Sequence, residues 1–367
     1  MTRDRSQAAS LQPGVGAGIV ASVHPEGVSL RKMRMNQAVA TALADEMHAD
    51  PDVVMFGEDI AVAEGPFKTS AGLLKTFGPM RVRDTPISEM GFLGAAVGAA
   101  ATGLRPVAEI MFIEFIGVAL DQLVTEAAKF HYLSRGTVTV PMTVRGSIGA
   151  GLGFGCQHSQ TLESWMYSTP GVKLAVASGA HNAYGLLRAA IRDDNPVVFL
   201  EPRALYAKRA TVATGEDAII PLGQAARPRE GSDVTLVALG AMVPAALQAA
   251  EGAPWSAEVV DLQTLVPYDK EALLESVAKT GRLVTVEENP LTGGWGGEIT
   301  AFVTSELFGQ LRAPPIRVTC PDVHVPFGRE LEQRYLPAPG YISSQVSELL
   351  ETGRRPAHWW ETEGVAP

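Results

Sequence analysis

The sequence predicts an α/β protein made of two consecutive open, mostly parallel-sheet domains. Two observations lead to this fold class. Short β-branched runs alternate with segments of helical apolar spacing, and the alternation is interrupted once and then resumes. Strands that alternate with helices form parallel sheets covered by helices on both faces. A length of 367 residues is sufficient for two such domains.

The first domain is predicted over residues 30–205, and its elements follow in order. Apolar spacing predicts helices over 34–49, over the segment after Glu89, and over 117–133 and 179–192. Short apolar runs predict strands over 53–56, 106–112, 140–146 and 197–200. Ligands of such sheets bind beyond the carboxyl ends of the strands, so the turns there are the first place to look for a site.

A Pro- and Gly-containing stretch of mixed charge, 204–233, separates the two halves, and we place a linker at 206–228 within it. The second domain is predicted over 229–360. Strands are predicted over 233–240, 257–267, 282–289 and 315–320, and helices over 241–252, 270–281, 298–311 and 341–353. Residues 1–29 are predicted to be a disordered leader, with a transit peptide as the alternative because the segment contains Arg and Ser.

The composition excludes several classes of protein. A formal charge of −10 without a Lys/Arg cluster argues against binding to nucleic acid or an anionic membrane. Two cysteines are too few for a disulfide framework or a zinc site, which indicates a reducing compartment. No apolar run is long enough to span a bilayer. We therefore expect a protein of a reducing compartment, the cytoplasm, with the mitochondrial matrix as the alternative location.

Glu89 is a carboxylate at the start of an apolar run, in which Met90, Phe92 and Leu93 precede the small residues GAAVGAAA. One interpretation is structural, because a carboxylate in the first turn of a helix interacts favourably with the helix dipole. The other is functional, because a carboxylate in an apolar site could form a strong hydrogen bond to a nitrogen-containing ligand. Spacing alone leaves both open.

Residues 146–160 form a glycine-rich loop that ends near His158. Such a loop is typical of a lid or of a backbone that approaches a ligand closely. Its glycines do not match a phosphate-binding motif, because Phe154 stands at the third glycine position. His158 is either an acid/base candidate or a structural histidine. Cys156 is too close along the loop to be aligned with it as a nucleophile.

Two further positions are candidates. Phe115, beside Glu114 at the end of a predicted strand, is either a core aromatic or a stacking surface for a flat heterocycle. The stretch 189–196, with Asp193 and Asn195 before Pro196, is either an ordinary helix end or a source of carbonyls for a monovalent cation.

Several motifs carry a family resemblance that covers residues ~30–355. They are GED (57–59), DTPISEMGF (84–92), QHSQ (157–160), AAIRDDNPVVFLEP (189–202) and VEENPLTGGWGGEI (286–299). With them the chain resembles the β subunit of the thiamine-diphosphate-dependent first component of 2-oxo acid dehydrogenase complexes. The resemblance implies a pyrimidine-binding domain followed by a transketolase-type C-terminal domain.

The resemblance also implies roles for individual residues. Glu89 matches the glutamate that hydrogen-bonds N1′ of the cofactor's aminopyrimidine. Glu58, Ile87 and Phe115 match residues of the same cofactor pocket, with Phe115 packed on the pyrimidine. His158 matches a histidine at the reacting end of the cofactor, which takes part in substrate binding and acyl transfer. The carbonyls of five residues match a potassium site found in some members: Met142, Ala190, Ile191, Asp193 and Asn195.

The family's diphosphate and Mg²⁺ motif, GDG followed by Asn, is absent from this chain. In the family this motif belongs to the α subunit, so the resemblance implies an α2β2 heterotetramer in which each chain supplies half of each site. It also implies a lipoyl-bearing acyltransferase as a further partner. The substrate, either a 2-oxo acid such as pyruvate or a branched-chain acid, or acetoin, stays open, and Val118 departs from the glutamine of pyruvate-type members.

Three alternatives make different predictions. A complete transketolase-like enzyme requires the missing diphosphate motif in the same chain. A non-catalytic regulatory or scaffold subunit would have had no need to keep Glu89 and His158. A nicotinamide dehydrogenase requires a glycine-rich nucleotide turn, and the segment 237–247 offers only Gly240.

Overall fold

The computed structural model describes residues 29–364, so the predicted leader lies outside the described residues except for Ser29. Within that range the chain forms fourteen strands. They are β1 (Ser29–Arg34), β2 (Val53–Gly57), β3 (Val82–Asp84), β4 (Arg105–Phe112), β5 (Thr143–Ile148), β6 (Lys173–Val176), β7 (Val197–Pro202), β8 (Arg209–Thr214), β9 (Ala226–Arg229), β10 (Val234–Ala238), β11 (Ala257–Asp261), β12 (Thr264–Val266), β13 (Leu283–Pro290) and β14 (Ile316–Cys320).

The helices pack on both faces of the sheets that these strands form. They are α1 (Met35–Ala49), α2 (Leu73–Phe77), α3 (Glu89–Ala101), α4 (Ile116–Asp121), α5 (Ala128–Leu133), α6 (Glu163–Tyr167), α7 (Ala180–Arg192), α8 (Met242–Ala250), α9 (Lys270–Thr280), α10 (Gly296–Leu307), α11 (Arg329–Tyr335), α12 (Pro339–Thr352) and α13 (Trp359–Glu363). A π-helical segment, Gln122–Ala127, joins α4 and α5 into one continuous helical rod.

Two parallel sheets form the centres of the two domains. The first has seven strands in the order β12-β6-β7-β5-β4-β2-β3, and the second has five in the order β14-β13-β10-β11-β9. All neighbours are parallel except the two edge pairs, β12 with β6 and β9 with β11. Strands β5 and β7 are buried along their whole length, as expected of parallel strands covered on both faces. The predicted fold class is confirmed.

Six strands differ from the sequence expectation: β12 was predicted as part of β11, and β1, β3, β6, β8 and β9 were not predicted. Residues 257–267 were predicted as one strand, but the chain turns at Gln263, which has φ +58°, and continues as β12 in the first sheet. The prediction also missed β1 and β8, which pair with each other in a separate two-stranded sheet. Strand β1 is largely exposed and carries no apolar alternation, so the period-2 signal is absent there. Strand β9 is also short and polar, so it gives no apolar alternation and was missed for the same reason.

The two domains share apolar packing. One buried cluster combines residues of both sheets, including Leu174 and Leu200 of the first with Val237 and Val260 of the second. Strand β12 therefore continues a contact that the cores already make. Over residues 29–364, none of the helices combines the length and apolar character that crossing a membrane requires.

Candidate active site

The candidate site lies where four neighbouring strands of the first sheet end. Strands β3, β2, β4 and β5 are adjacent and parallel, with Gly57 opposite Asp84 and Glu109, and Glu109 opposite Arg145. Because parallel strands end at the same edge, the segments that follow them converge there. These segments carry Glu58, the turn to Glu89, the turn to Phe115, and the glycine-rich loop.

The turn between β3 and α3 is fixed by backbone contacts. The Asp84 carboxylate accepts hydrogen bonds from Ala61 N at 2.7 Å and Val62 N at 3.2 Å, and Thr85 N donates to Gly57 O at 3.0 Å. Helix α3 then begins at Glu89, which is only 9% exposed. Its carboxylate therefore sits at the positive end of the helix and is shielded from most of the solvent.

Glu58 faces Glu89 from the end of β2. Burial raises the pKa of Glu58, and the nearby carboxylates of Glu89 and Asp59 raise it further. One of its oxygens, Oε1, is buried and makes no hydrogen bond within the described part of the chain. A buried acceptor beside a second carboxylate fits a ligand that presents N–H groups.

His158 lies within an aromatic cluster. Its ring centroid is 4.7 Å from that of Phe112 and 5.5 Å from that of Phe115, both at nearly perpendicular angles. Phe154 is 5.7 Å from Phe112 and closes the other side of the cluster. Edge-to-face packing of this kind fixes the orientation of the imidazole. The structure thus brings two of the predicted residues, Phe115 and His158, into contact.

Glu114 connects the end of β4 to the glycine-rich loop. Its Oε1 accepts a hydrogen bond from Gln160 N at 2.5 Å, and its Oε2 is buried without a partner among the described residues. Burial raises the pKa of Glu114, whereas the Gln160 N–H and the charges of Arg203 and His158 oppose that increase. Glu114 is therefore a largely buried carboxylate that holds the end of the loop near His158.

Arg203 is a buried residue of the site that the sequence analysis missed. It follows β7, lies 4.9 Å from the Phe112 ring centroid and 5.6 Å from that of Phe154, and donates to Ser147 Oγ at 3.1 Å. Because β7 ends at the same edge as β5, the strand-end rule could have identified it. Burial lowers the pKa of Arg203, and the carboxylates of Glu114, Glu288 and Glu332 oppose that effect.

The rim of the site is apolar and exposed. Ile87 is 84% exposed, Val118 is 62% exposed, and Phe115 is 37% exposed. Met90 and Trp165 are exposed as well. Large apolar side chains grouped around a cleft commonly mark a surface that another molecule covers.

The carbonyls predicted to hold a potassium ion lie around the end of α7. Arg105 Nη1 is 3.3 Å from Ile191 O and 3.2 Å from Asp193 O, Val197 N donates to Met142 O, and Asp193 N donates to Ala190 O. The Asn195 side chain donates to the Asp193 carboxylate. Each of these four carbonyls keeps a second lone pair, so the cation site remains a prediction.

Comparisons with known proteins match both halves of the chain. The family models described as "Transketolase, pyrimidine binding domain" and "Transketolase, C-terminal domain" match residues 31–208 and 223–342. The chain is 41% identical to "Pyruvate dehydrogenase E1 component subunit beta-2, mitochondrial" of Oryza sativa subsp. japonica, over 94% of this chain and 91% of that protein. It is 42% identical to "Acetoin:2,6-dichlorophenolindophenol oxidoreductase subunit beta" of Bacillus subtilis (strain 168), over 87% and 98%.

Among solved structures, one described as "Split gene transketolase, inactive beta4 tetramer" has the same fold. It superposes with a TM-score of 0.70 at 27% sequence identity, over 88% of this chain and 99% of that chain.

Proposed function

Because the chain belongs to the family of E1-component β subunits of 2-oxo acid dehydrogenase complexes, we propose that it supplies half of a thiamine-diphosphate site. The observation that carries this proposal is the pair of neighbouring carboxylates Glu58 and Glu89, which lie at the same edge of the first sheet as the contacting rings of Phe115 and His158. The reaction is the oxidative decarboxylation of a 2-oxo acid, or the cleavage of acetoin, with transfer of the acyl group to a lipoyl group.

The residues present fit the aminopyrimidine of this cofactor. Glu89 offers an acceptor for a ring N–H in a shielded site, and Glu58 offers a buried oxygen without a partner in the described chain. Phe115 and Ile87 supply apolar surface for a flat ring. When bound, the cofactor supplies a nucleophilic carbon and stabilises the negative charge that decarboxylation leaves behind. Glu89 contributes by holding a proton at the pyrimidine N1′.

His158 acts at the reacting end of the site. The imidazole is oriented by the Phe112 and Phe115 rings and lies near the Glu114 carboxylate, so it is placed to move a proton at the substrate. The phenylalanine rings exclude water from one side of it.

The proposed site needs a second chain. We assign the diphosphate and Mg²⁺ to an α subunit in an α2β2 heterotetramer, because this chain lacks the diphosphate motif and its site has an exposed apolar rim. The lipoyl-bearing acyltransferase is the proposed next partner. A potassium ion held by the carbonyls around the end of α7 and a bacterial cytoplasmic location belong to the same proposal.

The test is reconstitution with the α partner. The isolated chain should not decarboxylate pyruvate, branched-chain 2-oxo acids or acetoin in the presence of thiamine diphosphate, Mg²⁺ and an artificial electron acceptor. Addition of the α subunit should give turnover that requires thiamine diphosphate, and the best of the three substrates identifies the class. Turnover by the isolated chain, or no thiamine-dependent turnover by the reconstituted pair, would refute the proposal.

A further inference from the structure

Residues 149–160 of the glycine-rich loop, called the glycine loop below, have few large side chains. It contains four glycines with positive φ, at positions 149, 151, 153 and 155. A cavity of about 190 Å³ lies between this loop and the second domain, lined among others by Cys156 and Gln160 on one side and Glu288 and Tyr335 on the other. Around the glycines, backbone hydrogen bonds must therefore help to hold the loop in place.

Glu332 of α11 provides two of these hydrogen bonds. Its side chain is buried, with 1% exposure, and its Oε1 accepts from Gly151 N at 2.8 Å while its Oε2 accepts from Gly153 N at 2.9 Å. Both bonds go to a carboxylate, and charge-assisted bonds of this kind are about twice as strong as neutral ones. One buried side chain of the second domain thus binds the backbone of the loop at two residues.

Glu288, at the end of β13, provides a third bond. Its Oε1 accepts from Ala150 N at 2.6 Å, and a Cβ added to Gly149 would lie 2.6 Å from the same oxygen. Ala150 itself packs in a small apolar cluster with Cys320 and Tyr335 of the second domain. The first half of the loop is therefore part of the second domain's packing, although its sequence belongs to the first domain.

The two ends of the loop are held by the first domain. Arg203 Nη2 donates to Gly149 O at 2.7 Å and also to His158 O, and Gly149 N donates to Gln160 O at 3.0 Å. These bonds join the two ends of the loop. A displacement of residues 149–153 would consequently move the backbone of His158.

We propose that Glu332, assisted by Glu288, is a positioning residue that holds the glycine loop from the second domain and so places His158 in the active site. The inference rests on the proposed function, because it assumes that His158 acts in the reaction. It gives the second domain a direct part in the chemistry, through three hydrogen bonds to backbone N–H groups.

The experiment replaces Glu332 with a side chain of similar length that accepts hydrogen bonds only weakly. Glu332→Met should accelerate hydrogen exchange at the amides of 150–153 by about tenfold or more, because two charge-assisted bonds are lost. Exchange in β5 should stay as in the wild type. Glu332→Gln keeps one acceptor oxygen and should give an intermediate rate. Glu330→Met, at an exposed position of the same helix, is the matched control.

The functional readout is a double-mutant cycle in the complex with the α subunit. Glu332→Met should lower kcat about tenfold, with the dissociation constant of thiamine diphosphate unchanged. In a His158→Ala background the same change should lower kcat by less than about twofold, because its effect passes through His158. An equal loss in both backgrounds would overturn the proposal.

Two other results would also overturn it. One is an unchanged exchange rate at 150–153 in Glu332→Met. If that variant does not fold, an unchanged rate in Glu332→Gln has the same meaning, because a neutral amide accepts more weakly than a carboxylate. Hydrogen exchange is measured on the full chain without turnover. A failure of the proposed function would instead appear as a reconstituted wild type without thiamine-dependent activity, whatever the loop does.

Discussion

At the scale of single residues, a substitution of Glu89 tests whether the carboxylate in the first turn of α3 is catalytic or structural. If it holds a proton on the cofactor, Glu89→Gln should lower kcat of the reconstituted enzyme at least about 100-fold, which corresponds to roughly 2.7 kcal/mol of lost transition-state stabilisation. The measurement is steady-state turnover at saturating thiamine diphosphate, with Glu126→Gln on the neighbouring π-helical segment as the control.

The structural interpretation of Glu89 makes the opposite prediction. If the carboxylate only complements the helix dipole, Glu89→Gln should leave kcat unchanged and lower the unfolding free energy by about 0.3–1 kcal/mol. Thermal unfolding of the isolated chain separates the two interpretations, since it does not depend on the α subunit.

Glu163 predicts a pH dependence of stability. Its side chain is buried, and burial raises its pKa to about 7, with Glu287 adding to the increase and a hydrogen bond from Thr161 opposing it. The folded state thus holds the proton more tightly than the unfolded state, so stability from this group is fully present below pH ~4.5 and is lost as the pH rises through 7. Glu163→Gln should stabilise the protein at pH 8 by up to about 3 kcal/mol.

The check is denaturant unfolding of both proteins at pH 5 and pH 8. The stabilisation by Glu163→Gln should be smaller at pH 5 than at pH 8. Glu271→Gln, at an exposed position of α9, should change the unfolding free energy little at either pH. Part of the pH dependence of the unfolding free energy should remain in Glu163→Gln, because burial also raises the pKa of Glu288 to about 7 and that of Asp261 to about 6. An equal gain at the two pH values would contradict the assignment.

The sequence could place single residues where position along a strand carries the information. Phe115 and His158 could be placed at one edge of the sheet, and the structure brings their rings together. The partners of the loop could not be found this way. Glu332 lies 181 residues from Gly151 along the chain, in a helix whose local pattern gives no sign of a loop contact.

At the scale of elements, the sequence predicted the long helices and most of the buried strands, and it missed short elements such as β3, β6, α2 and α6. Strand β12 is the clearest example of an element that local sequence does not predict. Its residues continue the apolar run of β11, and the chain enters the other sheet only because Gln263 adopts a positive φ. A non-Gly residue in that conformation is set by tertiary contacts, such as the Gln263 side chain bonding Gln224 O at 3.1 Å. Such contacts cannot be seen in a local window.

The glycine loop allows a matched pair of substitutions. Gly155 and Gly153 have similar positive φ angles, +72° and +75°, so a side chain strains both equally. A Cβ at Gly155 would lie 2.3 Å from the Phe327 ring, whereas a Cβ at Gly153 meets nothing within 4 Å. We expect Gly155→Ala to lower kcat more than Gly153→Ala, because only the first displaces the loop against the second domain.

Phe327→Ala provides the check on this prediction. Combined with Gly155→Ala it should restore kcat to about the value of Gly153→Ala, because the clash is removed while the φ strain remains. Similar kcat values for the two single variants, or no recovery in the double variant, would show that the approach of Gly155 to Phe327 has no role in placing the loop.

At the scale of the whole molecule, the two domains are joined by polar contacts as well as by packing. Asp261, at the end of β11, accepts hydrogen bonds from Ser178 and Asn182 of the first domain, the latter at 3.1 Å. Strand β12 pairs with β6 next to this contact, and Glu332 and Glu288 bind the glycine loop farther along the interface. The orientation of the two domains therefore fixes the geometry of the candidate site.

The exposed face of α3 predicts where a second chain packs. Gly91, Ala95 and Gly98 are exposed on one side of this helix, beside the exposed Met90 at the edge of the site. Residues spaced by three or four positions share one face of a helix, and small side chains there let another backbone approach closely. Gly98 in particular has nothing within 4 Å of an added Cβ, so this chain itself leaves room for a larger residue.

Gly98→Leu should therefore separate folding from assembly. In the isolated chain the substitution should keep or raise the unfolding temperature, because glycine inside a helix costs about 1 kcal/mol relative to good helix formers. In the presence of the α subunit it should prevent formation of the heterotetramer, as measured by light scattering, and with it thiamine-dependent turnover. Gly340→Leu, at an exposed position of α12 with equally open surroundings, is the control and should assemble normally. Normal assembly of Gly98→Leu would show that the small residues of α3 face solvent in the complete enzyme, and the second chain would then have to reach Glu89 across the rim formed by Ile87 and Val118.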